Sequence, residues 1–134
     1  MKHFTGLAHI ALYTSDLERS VRFYQTLGGR LTGRADSVKP SGINYLALVQ
    51  LPGFCLEIIE SHDGTEISGS GMFPHIAIQV DDIDAAVSDL KAAGICSFRT
   101  ESPMTMPIFG GIRNIFFTGP DGELLELLQP AAES

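Results

Sequence analysis

The chain has 134 residues, of which 44% are hydrophobic and 19% are charged. This composition provides enough apolar side chains for one packed domain and argues against wholesale disorder. Nine basic residues stand against sixteen acidic ones, and the resulting net charge of −7 argues against nucleic acid or an anionic membrane surface as the main partner.

The sequence also predicts where the protein works. No stretch reaches the roughly 18 apolar residues that a membrane-spanning helix needs, and the N-terminal segment has no secretory-signal pattern. Cys55 and Cys96 are the two cysteines, and two cysteines form no disulfide framework. We expect a cytoplasmic protein in which both are reduced, buried thiols.

The first half of the chain predicts one strand, one helix and three more strands. "GLAHIALYT" has the apolar character of a strand, and the helix that follows begins at an N-cap Asp16 and ends at Gly28. Three strand-like runs come next, "RLTGRA", "INYLALVQL" and "GFCLEIIE", with a loop at "DSVKPSG" and a turn at Pro52-Gly53.

The second half repeats this order after a polar, glycine-rich connection, "SHDGTEISGSG". The strand "MFPHIAIQV" leads to an N-cap Asp82, and the second helix ends at Gly94. The strand-like runs "ICSFRT", "GIRNIFFTG" and "GELLELLQ" follow, with a turn at Asp121-Gly122. The segment 101–111 predicts a mobile flap over a pocket, because it carries prolines and methionines.

The two halves are copies of one module. His75 lies 66 residues after His9, and Gly94 lies 66 residues after Gly28. The last strands match at an offset of 69, which places Glu57 on Glu126. The repeat predicts one α+β domain over residues 1–134, made of module 1 (about 5–60) and module 2 (about 72–129).

Strand alternation places four polar side chains on the faces away from the helices. Leu56 and Ile58 should pack on the first helix, so Glu57 points with His9 to the other face, and the second module repeats this with His75 and Glu126. Buried carboxylates need a positive partner, and a divalent metal would satisfy all four side chains. Two imidazoles and two carboxylates suit Ni²⁺, Co²⁺, Zn²⁺, Mn²⁺ or Fe²⁺. The alternative is hydrogen-bonded core histidines with solvent-facing glutamates.

Several segments carry a family resemblance. The repeat, together with "DLERSVRFYQTLG", "HIAIQVDDIDAAVSDLKAAG" and "GPDGELLELLQ", resembles the vicinal oxygen chelate superfamily, which includes glyoxalase I, methylmalonyl-CoA epimerase, extradiol dioxygenases, and fosfomycin and bleomycin resistance proteins. The resemblance covers nearly the whole chain. It implies two βαβββ modules that form a curved, barrel-like mixed sheet with helices outside, and metal ligands at His9, Glu57, His75 and Glu126. Glu60 and Glu123 are then expected to be exposed.

The ligand set is similar to that of glyoxalase I, a metal-dependent lyase. The resemblance implies proton transfer next to a metal-bound carbonyl oxygen of a small substrate, with Glu126 as first choice for the base and Glu57 as second. Tyr13 stands where glyoxalase I typically carries an Arg that helps to hold glutathione, so glutathione use is open. An acyl-CoA epimerase, a ring-cleaving dioxygenase and an antibiotic-sequestering protein without catalysis stay as alternatives.

Three further residues are candidates for substrate binding. Tyr13 and Gln79 match across the repeat and should line the same cavity, although both could be filler. Arg113, in the strand-like "GIRNIFF", is the best candidate for an anionic substrate group, with an exposed strand arginine as the alternative. Family members of this length commonly dimerise, so the resemblance implies a homodimer.

Overall fold

The computed structural model describes residues 2–3, 5–66 and 73–131. The chain divides into two compact units, Met1–Ile67 and Ser68–Ser134. The elements of the first unit are, in chain order, β1 (Ile10–Thr14), α1 (Leu17–Thr26), β2 (Arg30–Lys39), β3 (Gly42–Leu51) and β4 (Phe54–Ser61).

The second unit has the same order of elements. They are β5 (Ile76–Gln79), α2 (Ile83–Ala92), β6 (Met104–Met106), β7 (Ile112–Thr118) and β8 (Leu124–Pro130). The predicted βαβββ order is therefore confirmed in both units.

Each unit contains one mixed four-stranded sheet. The strand orders are β1-β4-β3-β2 and β5-β8-β7-β6. The first and last strands of each unit pair in parallel, β1 with β4 and β5 with β8, and the remaining neighbours are antiparallel. The predicted α+β class is confirmed.

Local signals define both helices. The Asp16 carboxylate accepts the backbone N–H of Arg19, and the Asp82 carboxylate accepts that of Ala85. These bonds satisfy donors that have no partner within the helix. Gly28 and Gly94 follow the helix ends with φ of 95° and 89°, a conformation that glycine adopts without steric cost.

Each helix packs on one face of its own sheet. Leu17, Val21 and Tyr24 of α1 are buried, and so are Leu56 and Ile58 of β4. In the second unit Leu125 and Leu127 of β8 are buried in the same way. The predicted division of each last strand, with alternate leucine and isoleucine side chains toward the helix, is confirmed.

A second, long-range bond fixes the start of each helix. Glu60 Oε1 accepts the backbone N–H of Leu17 at 2.8 Å, and Gln129 Oε1 accepts that of Ile83 at 2.8 Å. Glu60 also lies 2.7 Å from Nε2 of His62. Glu123 accepts the backbone N–H of Asp121. The expectation that Glu60 and Glu123 are exposed is wrong, because both side chains are half-buried and accept backbone N–H groups.

Glu60 predicts a pH dependence of stability. Hydrogen bonds from His62 and then from the Leu17 N–H lower the pKa of this carboxyl below its usual 4.5. Because the folded-state pKa is the lower one, Glu60 stabilises the fold above the unfolded-state pKa, and this contribution is lost as the pH falls through the folded-state pKa. Glu60→Gln keeps an acceptor for Leu17, as Gln129 does for Ile83. We expect urea unfolding at about pH 7 and about pH 3.5 to show a smaller acid-induced loss in this variant than in the wild type.

The exposed Glu101 provides the control for this prediction. Glu101→Gln should follow the wild-type pH dependence. An acid-induced loss in Glu60→Gln that equals the wild-type loss would show that Glu60 does not couple folding to protons.

Two strand predictions are wrong in position. Residues 95–100 form no strand; only Phe98 bridges to Phe117, since Ile95 N–H still bonds to Leu90 O at the helix end. The second strand of the unit is β6, which lies within the predicted flap 101–111. In the first unit, residues 36–39 continue β2 instead of forming a loop, because they pair with residues 42–45.

The cysteines also differ from expectation. Both are free thiols, as predicted, but Cys55 is half-buried and Cys96 is exposed. Cys96 is exposed because the segment that carries it is not part of the sheet. Within the described part of the chain, no helix has both the length and the apolar character that crossing a membrane requires.

Candidate metal centre

The first unit brings His9 and Glu57 together. His9 immediately precedes β1, and Glu57 lies on β4 in register with Ala11. His9 and Ala11 share a face because side chains alternate along a strand. The His9 Nε2 atom lies 3.6 Å from Glu57 Oε2, and the two side chains are 40% and 23% exposed.

The second unit repeats this arrangement. Ala77 of β5 is in register with Glu126 of β8, and His75 precedes β5. The His75 Nε2 atom lies 3.3 Å from Glu126 Oε1. Here the histidine is 38% exposed but the glutamate only 7%.

The 3.3 Å separation of the second pair fits two ligands of one ion, and the 3.6 Å separation of the first pair is slightly longer than such ligands require. Both exceed about 3.2 Å, the upper end of the usual N–H···O hydrogen-bond range. Donors about 2.1 Å from a metal, at the angles of tetrahedral or octahedral geometry, lie about 3.0–3.4 Å apart. The pairs also combine an imidazole nitrogen with a carboxylate oxygen on a partly exposed face. The residues present therefore suit a divalent cation.

Each pair supplies two donors. Among the residues that the structure describes, no group of three or more His, Cys, Asp or Glu side chains is close enough to hold a metal ion. The four-ligand centre of His9, Glu57, His75 and Glu126 thus stays a prediction, which requires the pairs of both units.

The pairs differ in their surroundings. The Glu126 carboxylate accepts a hydrogen bond from Asn114 Nδ2 at 2.8 Å through its other oxygen, Oε2. The ring of Phe116, which is in register with Glu126, meets the His75 ring edge to face at 5.5 Å. The corresponding positions of the first unit are Leu46 and Leu48. The second pair is therefore more enclosed than the first.

Tyr13 and Gln79 lie at the ends of their strands. Each is four residues after the histidine of its unit and is exposed on the same face. Tyr13 is in register with Ile59, and Gln79 with Leu128. Their role in substrate binding stays a prediction.

Arg113 does not join the Glu126 pair. Asn114 points to Glu126, so the preceding Arg113 lies on the opposite face of β7, where its guanidinium binds the Asp84 carboxylate of α2 at 2.7 Å and 3.1 Å. These bonds hold the pKa of the Asp84 carboxyl below its usual range. Arg113 is half-buried at this position, and its role in substrate binding stays a prediction.

Asn114 is not among the site residues predicted from the sequence. Alternation along "GIRNIFF" separates Asn114 and Phe116 from Arg113, but only the pairing of β7 with β8 places the amide beside Glu126. The signal that could have identified Asn114 is a polar residue on the strand face away from the helix, in a strand that pairs with the one carrying a candidate ligand.

The chain is similar to proteins of one known family. Residues 6–127 match the model of the Glyoxalase/Bleomycin resistance protein/Dioxygenase superfamily, so the chain belongs to this family. A probable lactoylglutathione lyase of Vibrio parahaemolyticus is 34% identical over 92% of this chain and 89% of its own length. A lactoylglutathione lyase of Neisseria meningitidis serogroup A is 32% identical over the same shares. Among solved structures, a glyoxalase family protein of Enterococcus faecalis has a TM-score of 0.73 at 25% identity, over 93% of this chain and 98% of that one.

Proposed function

We propose that this protein is a metal-dependent lyase or isomerase of the glyoxalase type, which transfers a proton next to a carbonyl oxygen of a small substrate. The observation that carries the proposal is the duplicated His–Glu pair, 3.6 Å apart in one unit and 3.3 Å in the other. Relatives named lactoylglutathione lyase, over most of the chain, support the same class of reaction.

The proposed site uses four side chains of this chain. His9, Glu57, His75 and Glu126 would hold one divalent cation, either Ni²⁺, Co²⁺, Zn²⁺, Mn²⁺ or Fe²⁺. Such a cation, when bound, supplies Lewis acidity that stabilises negative charge on a substrate oxygen.

The glutamates would have a second role. A carboxylate beside the substrate accepts the proton from the carbon next to the carbonyl and returns it to a neighbouring atom. By family resemblance Glu126 is the first candidate and Glu57 the second. Glu57 Oε2 and Glu126 Oε1 each face a partly exposed histidine, and the Glu57 side chain is itself 23% exposed.

The proposal includes the arrangement around the site. We expect the two units to form one domain over residues 1–134, because a centre with four ligands needs both pairs. Family resemblance supports a cytoplasmic homodimer, which sedimentation of the purified protein would test.

Metal analysis and three assays test the proposed function. Purified protein should contain or take up one divalent ion per site, and should turn over a thiol hemithioacetal. Turnover of a 2-methyl-branched acyl-CoA instead would indicate an epimerase, and turnover of a catechol a ring-cleaving dioxygenase. Tight antibiotic binding without metal or turnover would contradict an enzymatic role.

Removing the histidine of either pair should strongly weaken metal binding. His9→Ala and His75→Ala are each expected to weaken divalent-ion affinity more than about 100-fold, because loss of a ligand should exceed the 10–100-fold typical of losing an outer partner. A calorimetric titration of the metal-free protein measures this. His62→Ala is a matched control, since His62 Nε2 also lies beside a glutamate, 2.7 Å from Glu60, in a direct hydrogen bond. Equal affinities of His9→Ala, His75→Ala and the control would contradict the site.

A further inference from the structure

We propose that Asn114 is a positioning residue that fixes the orientation of the Glu126 carboxylate, so that one oxygen is held by the amide and the other is presented to the metal. This inference rests on the proposed function. Asn114 is an uncharged residue of β7 that is not itself a predicted metal ligand, but it contacts the predicted ligand Glu126.

The contact is specific and enclosed. Asn114 and Glu126 are both buried, at 9% and 5% exposure of the whole residue, and their side chains are joined by an Nδ2–Oε2 hydrogen bond of 2.8 Å. The other oxygen, Oε1, lies 3.3 Å from His75 Nε2. One carboxylate oxygen is thus held by an amide, and the other faces the imidazole.

The chemistry of the amide defines the direction of this bond. An ionised carboxylate only accepts hydrogen bonds, so the NH₂ group of Asn114, and not its carbonyl oxygen, must face Glu126. Bonds to a charged acceptor are stronger than neutral ones, and burial excludes water that would compete. A partial rotation of the Glu126 carboxylate about its terminal bond would break this contact, and a half-turn would only exchange its two equivalent oxygens. The preferred state therefore keeps one oxygen on the amide and the other toward His75.

The first unit lacks this device. Leu46 is the counterpart of Asn114 in the first unit. Leu46 pairs with Ile59, two residues after Glu57, just as Asn114 pairs with Leu128, two residues after Glu126. Leucine donates no hydrogen bond, so the Glu57 side chain, which is also more exposed at 23%, has more freedom of orientation. The duplicated site is therefore asymmetric, with one held carboxylate and one freer carboxylate.

Metal affinity tests the inference without reference to turnover. Asn114→Leu introduces the residue of the first unit, and a calorimetric titration with Ni²⁺ or Zn²⁺ should show about 10–100-fold weaker binding than in the wild type, the loss typical of removing an outer partner of a ligand. Asn44→Leu is the matched control. Asn44 is also buried and donates to a carboxylate, Asp63, at 3.1 Å, but on β3 away from the His9–Glu57 pair. The control should lose thermal stability and keep wild-type metal affinity.

A double-mutant cycle separates positioning from general damage. If Asn114 acts through Glu126, Asn114→Leu should cause little additional loss of affinity in a Glu126→Gln background. Equal losses in both backgrounds, or a wild-type affinity in Asn114→Leu, would overturn the inference while leaving the proposed function in place. Failure of the wild-type protein itself to bind a divalent ion would overturn both.

Discussion

Glu126→Gln is expected to lower kcat/KM by about 10²–10⁴-fold for whichever substrate the wild-type protein turns over, which is the usual contribution of a positioned general base. An amide cannot accept the proton, although it has nearly the same shape as the carboxylate. The Asn114 amide can still donate to the remaining carbonyl oxygen, so the buried hydrogen bond and the fold should be kept. Rates measured at saturating metal would separate this loss from weaker metal binding.

Two comparisons make this result specific. Glu123→Gln is the matched control: Glu123 immediately precedes β8, the strand that carries Glu126, and accepts the Asp121 N–H, so the variant should keep activity. Glu57→Gln distinguishes the two candidate bases. A larger loss in Glu57→Gln than in Glu126→Gln would reassign the base to the freer carboxylate, and unchanged turnover in Glu126→Gln would remove Glu126 from the reaction.

The second large effect concerns stability. Leu56→Ala and Leu125→Ala remove matched side chains from the two units, and both leucines are completely buried. Each substitution is expected to lower the free energy of unfolding by about 2–5 kcal/mol, from lost burial and the cavity that remains. This is a large part of the roughly 5–15 kcal/mol that stabilises a domain. Urea unfolding followed by circular dichroism measures the loss.

The same pair of variants tests whether the two units form one domain. A single cooperative domain should unfold in one transition in both variants, with the midpoint lowered in each. Two transitions, of which each variant shifts only one, would show that the units unfold independently. Leu7→Ala provides the control, because Leu7 is 72% exposed and the change should be within about 0.5 kcal/mol of the wild type.

The sequence alone determined the features that depend on short-range contacts. The caps at Asp16 and Asp82 bond to groups three residues away, and the glycines after both helices adopt a conformation that local sterics disfavour for other residues. The period of two along β4 and β8 was enough to separate Glu57 and Glu126 from the leucines that pack on the helices. Because the module is repeated, the same caps, glycines and strand alternation occur in both halves of the chain.

Only the tertiary structure decided what depends on pairing between distant strands. The pairing of β7 with β8 brings the Asn114 amide within hydrogen-bonding distance of Glu126. Arg113, the residue before Asn114, points to the other face and binds Asp84. Strand pairing likewise extends β2 through residue 39, and in the segment 95–100 it includes only the isolated bridge of Phe98 to Phe117. Cys96 of this segment is exposed. The physical reason is that each backbone hydrogen bond of a sheet needs a partner strand that is distant in sequence. The conformational preferences of a short segment do not determine which strand that is or in which register it pairs.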